Sequence, residues 1–530
     1  MGLVMNKTVI LATATLVCAS LFAEGNRITW KGGGDTPRWS DGSNWVGGEA
    51  PGEKDIAVIP EDTTAWASHH TEANGGDLTL ITSLAAIDLV ATNSVFEMDS
   101  ENDGTLATAT YTFSTPVTGI GVCKFSNGVN NDRHVSLKVD NSAFRGTFHF
   151  YHLQAWIDDL HALGTTNLVR WEPGAGLHCL YFHVEGTFEN PVDVYTVPSI
   201  YPLIGANTYD AKTATGKPVI LAGRVTNKAG GVFCPYGGNG YTTFAGGIDN
   251  GNNNKDSCRF QSAAHVAGDG ILGDARVYTG QTAYLGALVT GTFMAAGGTV
   301  VCETNNVFSG LIIYTPDPGS GTLNLNGHDQ SPVKFNFQNM SEDKGSTTVI
   351  TSAAPAKLSV SGLYSASTWY PFWGHIQGKV SLEFTGANNN ATIPFANSNN
   401  TKGELTITNK GTYEFLSTCS FTGVKRIAIL DGTSKYNTTK LLFHTANINP
   451  GKFDLELNGA YAIADVDEGV QLDARTFKLD GKYLKAGVYG SADAQVAGTV
   501  DEDHVLANLT GLGTVKVELD GPPGLMLLLR

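Results

Sequence analysis

Along most of the chain, apolar and polar residues alternate in short runs that Gly, Asn and Asp interrupt. Gly321-Thr322-Leu323-Asn324-Leu325-Asn326-Gly327 and Gly403-Glu404-Leu405-Thr406-Ile407-Thr408 alternate strictly. A period of two with one apolar face predicts half-buried strands. A second pattern is a polar corner, an aromatic, one further residue, a Gly and then a β run. It reads Asn141-Ser142-Ala143-Phe144-Arg145-Gly146-Thr147-Phe148-His149-Phe150 and returns as Asn305-Asn306-Val307-Phe308-Ser309-Gly310-Leu311-Ile312-Ile313-Tyr314. A weaker copy is Cys419-Ser420-Phe421-Thr422-Gly423-Val424. The pattern predicts one turn of a coil: Asn and Gly form the corner, the aromatic plugs inward beneath it, and the strand stacks on its neighbour. Spacing between copies is irregular, so some turns carry long insertions.

Near the start, Trp30, Trp39 and Trp45 fall among Gly-rich turns. Large aromatics there suit a cap over the first layer of a stacked core, whose end otherwise exposes strand edges and apolar surface. Before them, Lys7 precedes an apolar stretch from Val9 to Phe22, with a small residue at Ala23. A basic start, a short apolar core and a small exit residue predict a signal peptide over 1–23, cleaved after Ala23. The stretch is too short for a comfortable membrane span. The expected organisation is then a capping β segment over 24–110, β-helix repeats with insertions over 111–450, and a C-terminal β module over 451–530. The apolar tail 525–529 reads as a closing strand.

Composition narrows the picture. Only 16% of residues are charged, against roughly 25% in ordinary globular domains, and Gly numbers 63. Little material is left for solvated helix faces. The net charge is −16, with no run of Lys or Arg longer than two, which excludes a nucleic-acid footprint. The acidic balance keeps a large β surface soluble and self-repelling.

The repeat phrases within 141–180 and 305–362 resemble the autotransporter-associated β-strand repeats of large bacterial surface proteins. So do the Trp-Gly-rich opening and the closing phrases within 477–490 and 509–517. The resemblance implies a right-handed parallel β-helix displayed outside the cell, and it supplies no catalytic residues. No C-terminal outer-membrane barrel follows the repeats, so secretion, cell-surface display by another route, or periplasmic residence is expected.

Chemical motifs are sparse. Asp99, Glu101 and Asp103 have the oxygen spacing of the first half of a Ca²⁺ loop, but Thr110 stands where the bidentate carboxylate belongs. A solvated acidic turn is the better reading, and no other cofactor is expected. Trp369, Tyr370, Phe372 and Trp373 form the densest aromatic patch. Such rings stack on sugar faces when exposed and fill a core or a packed loop otherwise. Cys234 and Cys258 are the nearest cysteine pair and form a candidate disulfide, against isolated buried thiols. His149, His152, Asp158, Asp159, His161, His178 and His183 cluster in sequence without a spacing that unites them. The leading expectation is a non-catalytic structural or adhesive surface protein that takes an extracellular glycan or a surface protein as partner, or self-associates. A polysaccharide lyase or glycoside hydrolase on the same scaffold is the alternative.

Overall fold

A computed structural model describes residues 25–521 apart from 69–76, 101–109, 128–133, 174–178, 197–201, 207–217, 237–241, 252–257, 315–320, 339–348, 362–373, 386–391, 397, 409 and 433–437. These residues form two compact units, one up to Phe233 and one from Cys234. The division falls inside the run read from sequence as one set of repeats. Nearly all regular structure is β: beyond strands there are only short helical pieces, such as Asp77–Thr82 and Ala492–Val496. No described helix is long and apolar enough to cross a membrane.

The first unit is a parallel β-helix. One sheet stacks Thr64–Ser68, Val95–Ser100, Val122–Asn127, Thr147–Tyr151, Leu168–Glu172, Val192–Val194 and Val225–Asn227, each parallel to the next. A second stacks Thr110–Phe113, His134–Leu137, Gln154–Ile157, Cys179–Phe182 and Leu203–Ala206. A third stacks Arg27–Thr29, Ile56–Ile59, Ala86–Leu89 and Val117–Gly119. Successive turns thus add at most one strand to each sheet, at the usual ~4.8 Å between strands.

The alternation seen in the sequence sets which side chains enter the core. In Thr147–Tyr151, Phe148 and Phe150 are fully buried while Thr147, His149 and Tyr151 alternate toward the outside. Phe96, Phe113, Phe125 and Phe150 follow one another through the core at 5.1–6.1 Å between centroids. At its end Trp45 packs edge to face against Trp30 and Trp39, which stack on each other, and Trp39 stands edge-on to Phe96, forming the expected cap.

The corners also follow the expected chemistry. Phe144, Phe308 and Phe421 are all buried, but Phe308 opens the strand Phe308–Tyr314, which includes Gly310, and Phe421 lies in the strand Ser420–Phe421, so only their inward facing follows the expected corner. Asn141 is buried, accepts from the Val117 N–H at 2.8 Å and donates to the Ala162 carbonyl at 2.7 Å. Its side chain thereby adds to the backbone hydrogen bonds that hold these three segments together. Gly146 is required by closeness: a Cβ there would lie 1.9 Å from the Gly121 carbonyl oxygen and 2.4 Å from the Phe144 ring.

The second unit repeats the plan. Its longest described parallel stack runs from Thr242–Phe244 through Ala264–Val266, Thr282–Leu285, Thr299–Cys302, Thr322–Asn324, Val349–Val360 and His375–Phe384. It continues through Glu404–Ile407, Arg426–Ile429, Asp454–Leu457 and Thr476–Leu479. The strict Leu alternations lie here, with Leu323, Leu325 and Ile407 fully buried. The C-terminal module departs from the coil: Thr476–Leu479 turns back antiparallel onto Lys482–Tyr483, and Gly487–Gly490 runs antiparallel to Thr514–Val517.

Candidate functional site

The coil of the first unit turns alternate side chains of successive strands into rows on its outer surface. Strand register aligns Trp66, Glu97, Lys124, His149, Arg170 and Asp193 in one row. Two residues further along, Asp99, Ser126, Tyr151 and Glu172 form the adjacent row. These ionisable groups pair with each other. Lys124 Nζ lies 2.6 Å from Glu97 Oε1, which also accepts from Ser126 Oγ at 2.9 Å. Glu172 Oε1 accepts from His149 Nε2 at 3.0 Å and from Arg170 Nε at 2.5 Å. A carboxylate only accepts, so His149 carries its proton on Nε2. Asp193 faces Lys228 at 3.6 Å.

Aromatic rings complete the strip. His152 stacks on Tyr151 at 3.8 Å, and Lys124 Nζ stands 5.4 Å from the same ring. The Arg170 guanidinium covers Tyr195 at 4.5 Å. His152 reaches its position through a left-handed backbone, φ 54°, in the short turn between two strands. Burial holds His149 below the usual imidazole range; Arg170 and Lys124 add to this and Glu172 opposes it. Burial also lowers His152. Both are therefore neutral near pH 7. The result is a shallow, internally neutralised strip with cations held over aromatic rings.

A second cluster lies on the neighbouring sheet. Asp158 accepts from His183 Nδ1 through Oδ1 at 2.7 Å and from the Ser136 hydroxyl through Oδ2. Burial pushes the Asp158 carboxyl up, but these two hydrogen bonds and the charges of His183 and Lys138 bring it below the usual range. Trp156 stands between His134 and His183, at 4.5 Å and 5.1 Å. The order is Ser–carboxylate–His, so the imidazole is not the partner of the serine hydroxyl and does not activate it as a nucleophile.

The structure therefore divides the histidines and acids that sit together in sequence. His183 meets Asp158, His149 meets Glu172, and His152 meets Tyr151. The charged and aromatic strip residues Lys124, Tyr151, Arg170, Glu172 and Tyr195 had no signal of their own in the sequence except their outward place in alternating runs. Among the other candidates, Trp369, Tyr370, Phe372 and Trp373 lie outside the described residues, as do Glu101, Asp103, the signal segment and the apolar tail. Asp99 stands on Val95–Ser100 in register with Ser68 and Ser126. No three His, Cys, Asp or Glu among the described residues are grouped to hold a metal ion. Cys234 and Cys258 are fully buried and both are free thiols. Burial pushes Cys234 up to about 12 and Cys258 well above its ordinary value, the latter with a contribution from Cys234. The chain matches no family model, no curated protein and no solved structure.

Proposed function

We propose that this is an exported, non-catalytic β-helix protein of structural or adhesive role, which binds an extended extracellular glycan along the outer strip of its first unit. The observation that carries the reading is the mutual pairing of that strip. Glu97, Glu172 and Asp193 each have a cationic or hydrogen-bonding partner from an adjacent rung, and Glu172 has a second on its own strand. Glycoside hydrolysis needs two carboxylates reserved as acid and base or nucleophile, whereas these hold the strip together. Tyr151 and Tyr195, fixed by His152, Lys124 and Arg170, are the stacking platforms. The signal-like N-terminus and the resemblance to bacterial surface repeats support an extracellular setting.

An array of plant, algal and mucin glycans tests this. Selective binding by the purified chain, lost in a Tyr151→Ala/Tyr195→Ala double variant of unchanged melting temperature, supports it. Binding unaffected by the double variant contradicts it.

A polysaccharide-active reading has one specific observation in its favour, the Asp158–His183 pair beside Trp156. An imidazole oriented by a carboxylate through Nδ1 is suited to act as a base through Nε2. Release of glycan fragments that disappears in Asp158→Asn would support it.

A further inference from the structure

The second unit contains a separate open pocket of ≈ 610 Å³ on the surface of its C-terminal module, between the turn at Gly469, the strand Gly487–Gly490 and the segment 498–504. Its size lies within the ~300–1,000 Å³ typical of small-molecule sites. Gln471, Thr499, Asp501 and His504 contribute polar groups, while Val488, Val500 and Leu512 contribute apolar surface.

Packing fixes this wall. His504 sits edge-on to Tyr489 at 4.9 Å, over Gly487, where a Cβ would come within 3.0 Å of Nε2. Val500 fills the space beside Gly490, where a Cβ would lie 2.6 Å from Cγ2. The imidazole and the apolar floor are thus seated by two glycines that larger residues cannot replace without displacing them. Asp501 precedes the helical turn Glu502–His504, yet its side chain makes no capping hydrogen bond. A residue type that ordinarily caps such a turn here leaves its carboxylate at the pocket wall.

We infer that this pocket is a binding site for a neutral sugar unit, a pyranose of a glycan or a free saccharide. The lining contains no Lys or Arg, so an anionic ligand meets no counter-charge and instead meets Asp501. A carboxylate accepts two hydrogen bonds from neighbouring hydroxyls, and these charge-assisted bonds are the strong ones. Thr499, whose hydroxyl donates to the Ala494 carbonyl at 2.8 Å, can accept from a sugar hydroxyl; Gln471, whose Nε2 donates to Asp473 at 2.9 Å, keeps its carbonyl oxygen and second N–H; with the His504 imidazole these serve the remaining hydroxyls. The C–H face of a pyranose matches Val488, Val500 and Leu512. The site is independent of the strip on the first unit and stands whether or not that strip binds glycan.

Saturation-transfer NMR of the full chain with methyl glycosides of glucose, galactose and mannose and with N-acetylglucosamine tests the assignment. Glucosamine, as a cationic sugar, and glucuronic acid, as an anionic one, run beside them. The expected result is saturable transfer to at least one neutral sugar, at least tenfold weaker in Asp501→Asn and also weakened in Thr499→Trp, whose ring intrudes on the lining. Both variants must keep the parent circular dichroism and melting temperature; a variant that does not is replaced by Gln471→Ala, for which weakening is again expected. Absence of saturable transfer to every neutral sugar overturns the proposal. So does transfer that is undiminished in these folded variants, or preference for glucosamine or glucuronic acid. Loss of transfer in Tyr151→Ala/Tyr195→Ala, with full retention in Asp501→Asn, would place the sugar on the strip and equally overturn it.

Discussion

Trp39 stands edge-on to Phe96, with centroids 5.5 Å apart and planes at 82°, and neither ring is exposed to solvent. Through this contact the Gly-rich opening segment ends the aromatic column of the first unit. Replacing Trp39 by Ala removes the cap ring that meets Phe96 and leaves a void there. The expected cost is about 3–5 kcal/mol, read as a lower denaturant midpoint. A midpoint within experimental error of the parent would mean that the Trp cluster is peripheral.

Corner asparagines carry a different kind of stability. Asn141→Ala leaves the Val117 N–H and the Ala162 carbonyl without the partners they now have. An unsatisfied buried backbone group costs about 1–3 kcal/mol. Asn141→Ala should therefore destabilise the chain by that order, although it removes almost no apolar surface. Urea unfolding of Asn141→Ala beside the exposed control Asn93→Ala checks this: equal midpoints would count against a structural corner.

The outcome at these positions shows what was legible in the sequence. Alternation placed Phe148, Leu323 and Ile407 in the core, and the aromatic-Gly pattern placed Phe144, Phe308 and Phe421 inside, because each of those rules is local. The strip is not local. Glu172 meets His149 across 23 residues, Asp158 meets His183 across 25 and Ser136 meets Asp158 across 22. Unequal turns shift each rung relative to the next, so the sequence shows that a residue faces outward without showing what stands beside it. His149 and Asp158, only nine positions apart, consequently belong to different sheets and different partners.

In the second unit His444 donates to two carboxylates, Asp467 at 2.5 Å through Nδ1 and Glu414 at 2.9 Å through Nε2. The hydrogen bond to Asp467 raises its pKa most; burial opposes and Glu414 adds to the rise. A folded-state pKa above the unfolded value of about 6.5 stabilises the fold fully below that value, and this stabilisation is lost as pH rises through the folded pKa. The stability difference between the parent and His444→Gln should therefore be largest near pH 6 and shrink toward pH 9. A difference that grows with pH would contradict the assignment.

All six described cysteines are buried and free, and burial pushes the Cys419 thiol up to about 12. The thiolate is the reactive form. Native chain should thus label slowly with iodoacetamide at pH 8, and all six thiols should label in denaturant without reductant. If Cys234 and Cys258 stay unlabelled until reductant is added, the pair is a disulfide in the isolated protein.

The proposed role requires the outer strip of the first unit to bind glycan without cutting it. Mass spectrometry of the bound glycans after prolonged incubation with the purified chain tests it most directly. The account predicts unchanged chain lengths, with no new reducing ends and no unsaturated termini. Shortened products formed by the parent but not by Asp158→Asn would contradict it and identify the Asp158–His183 pair as part of an active site.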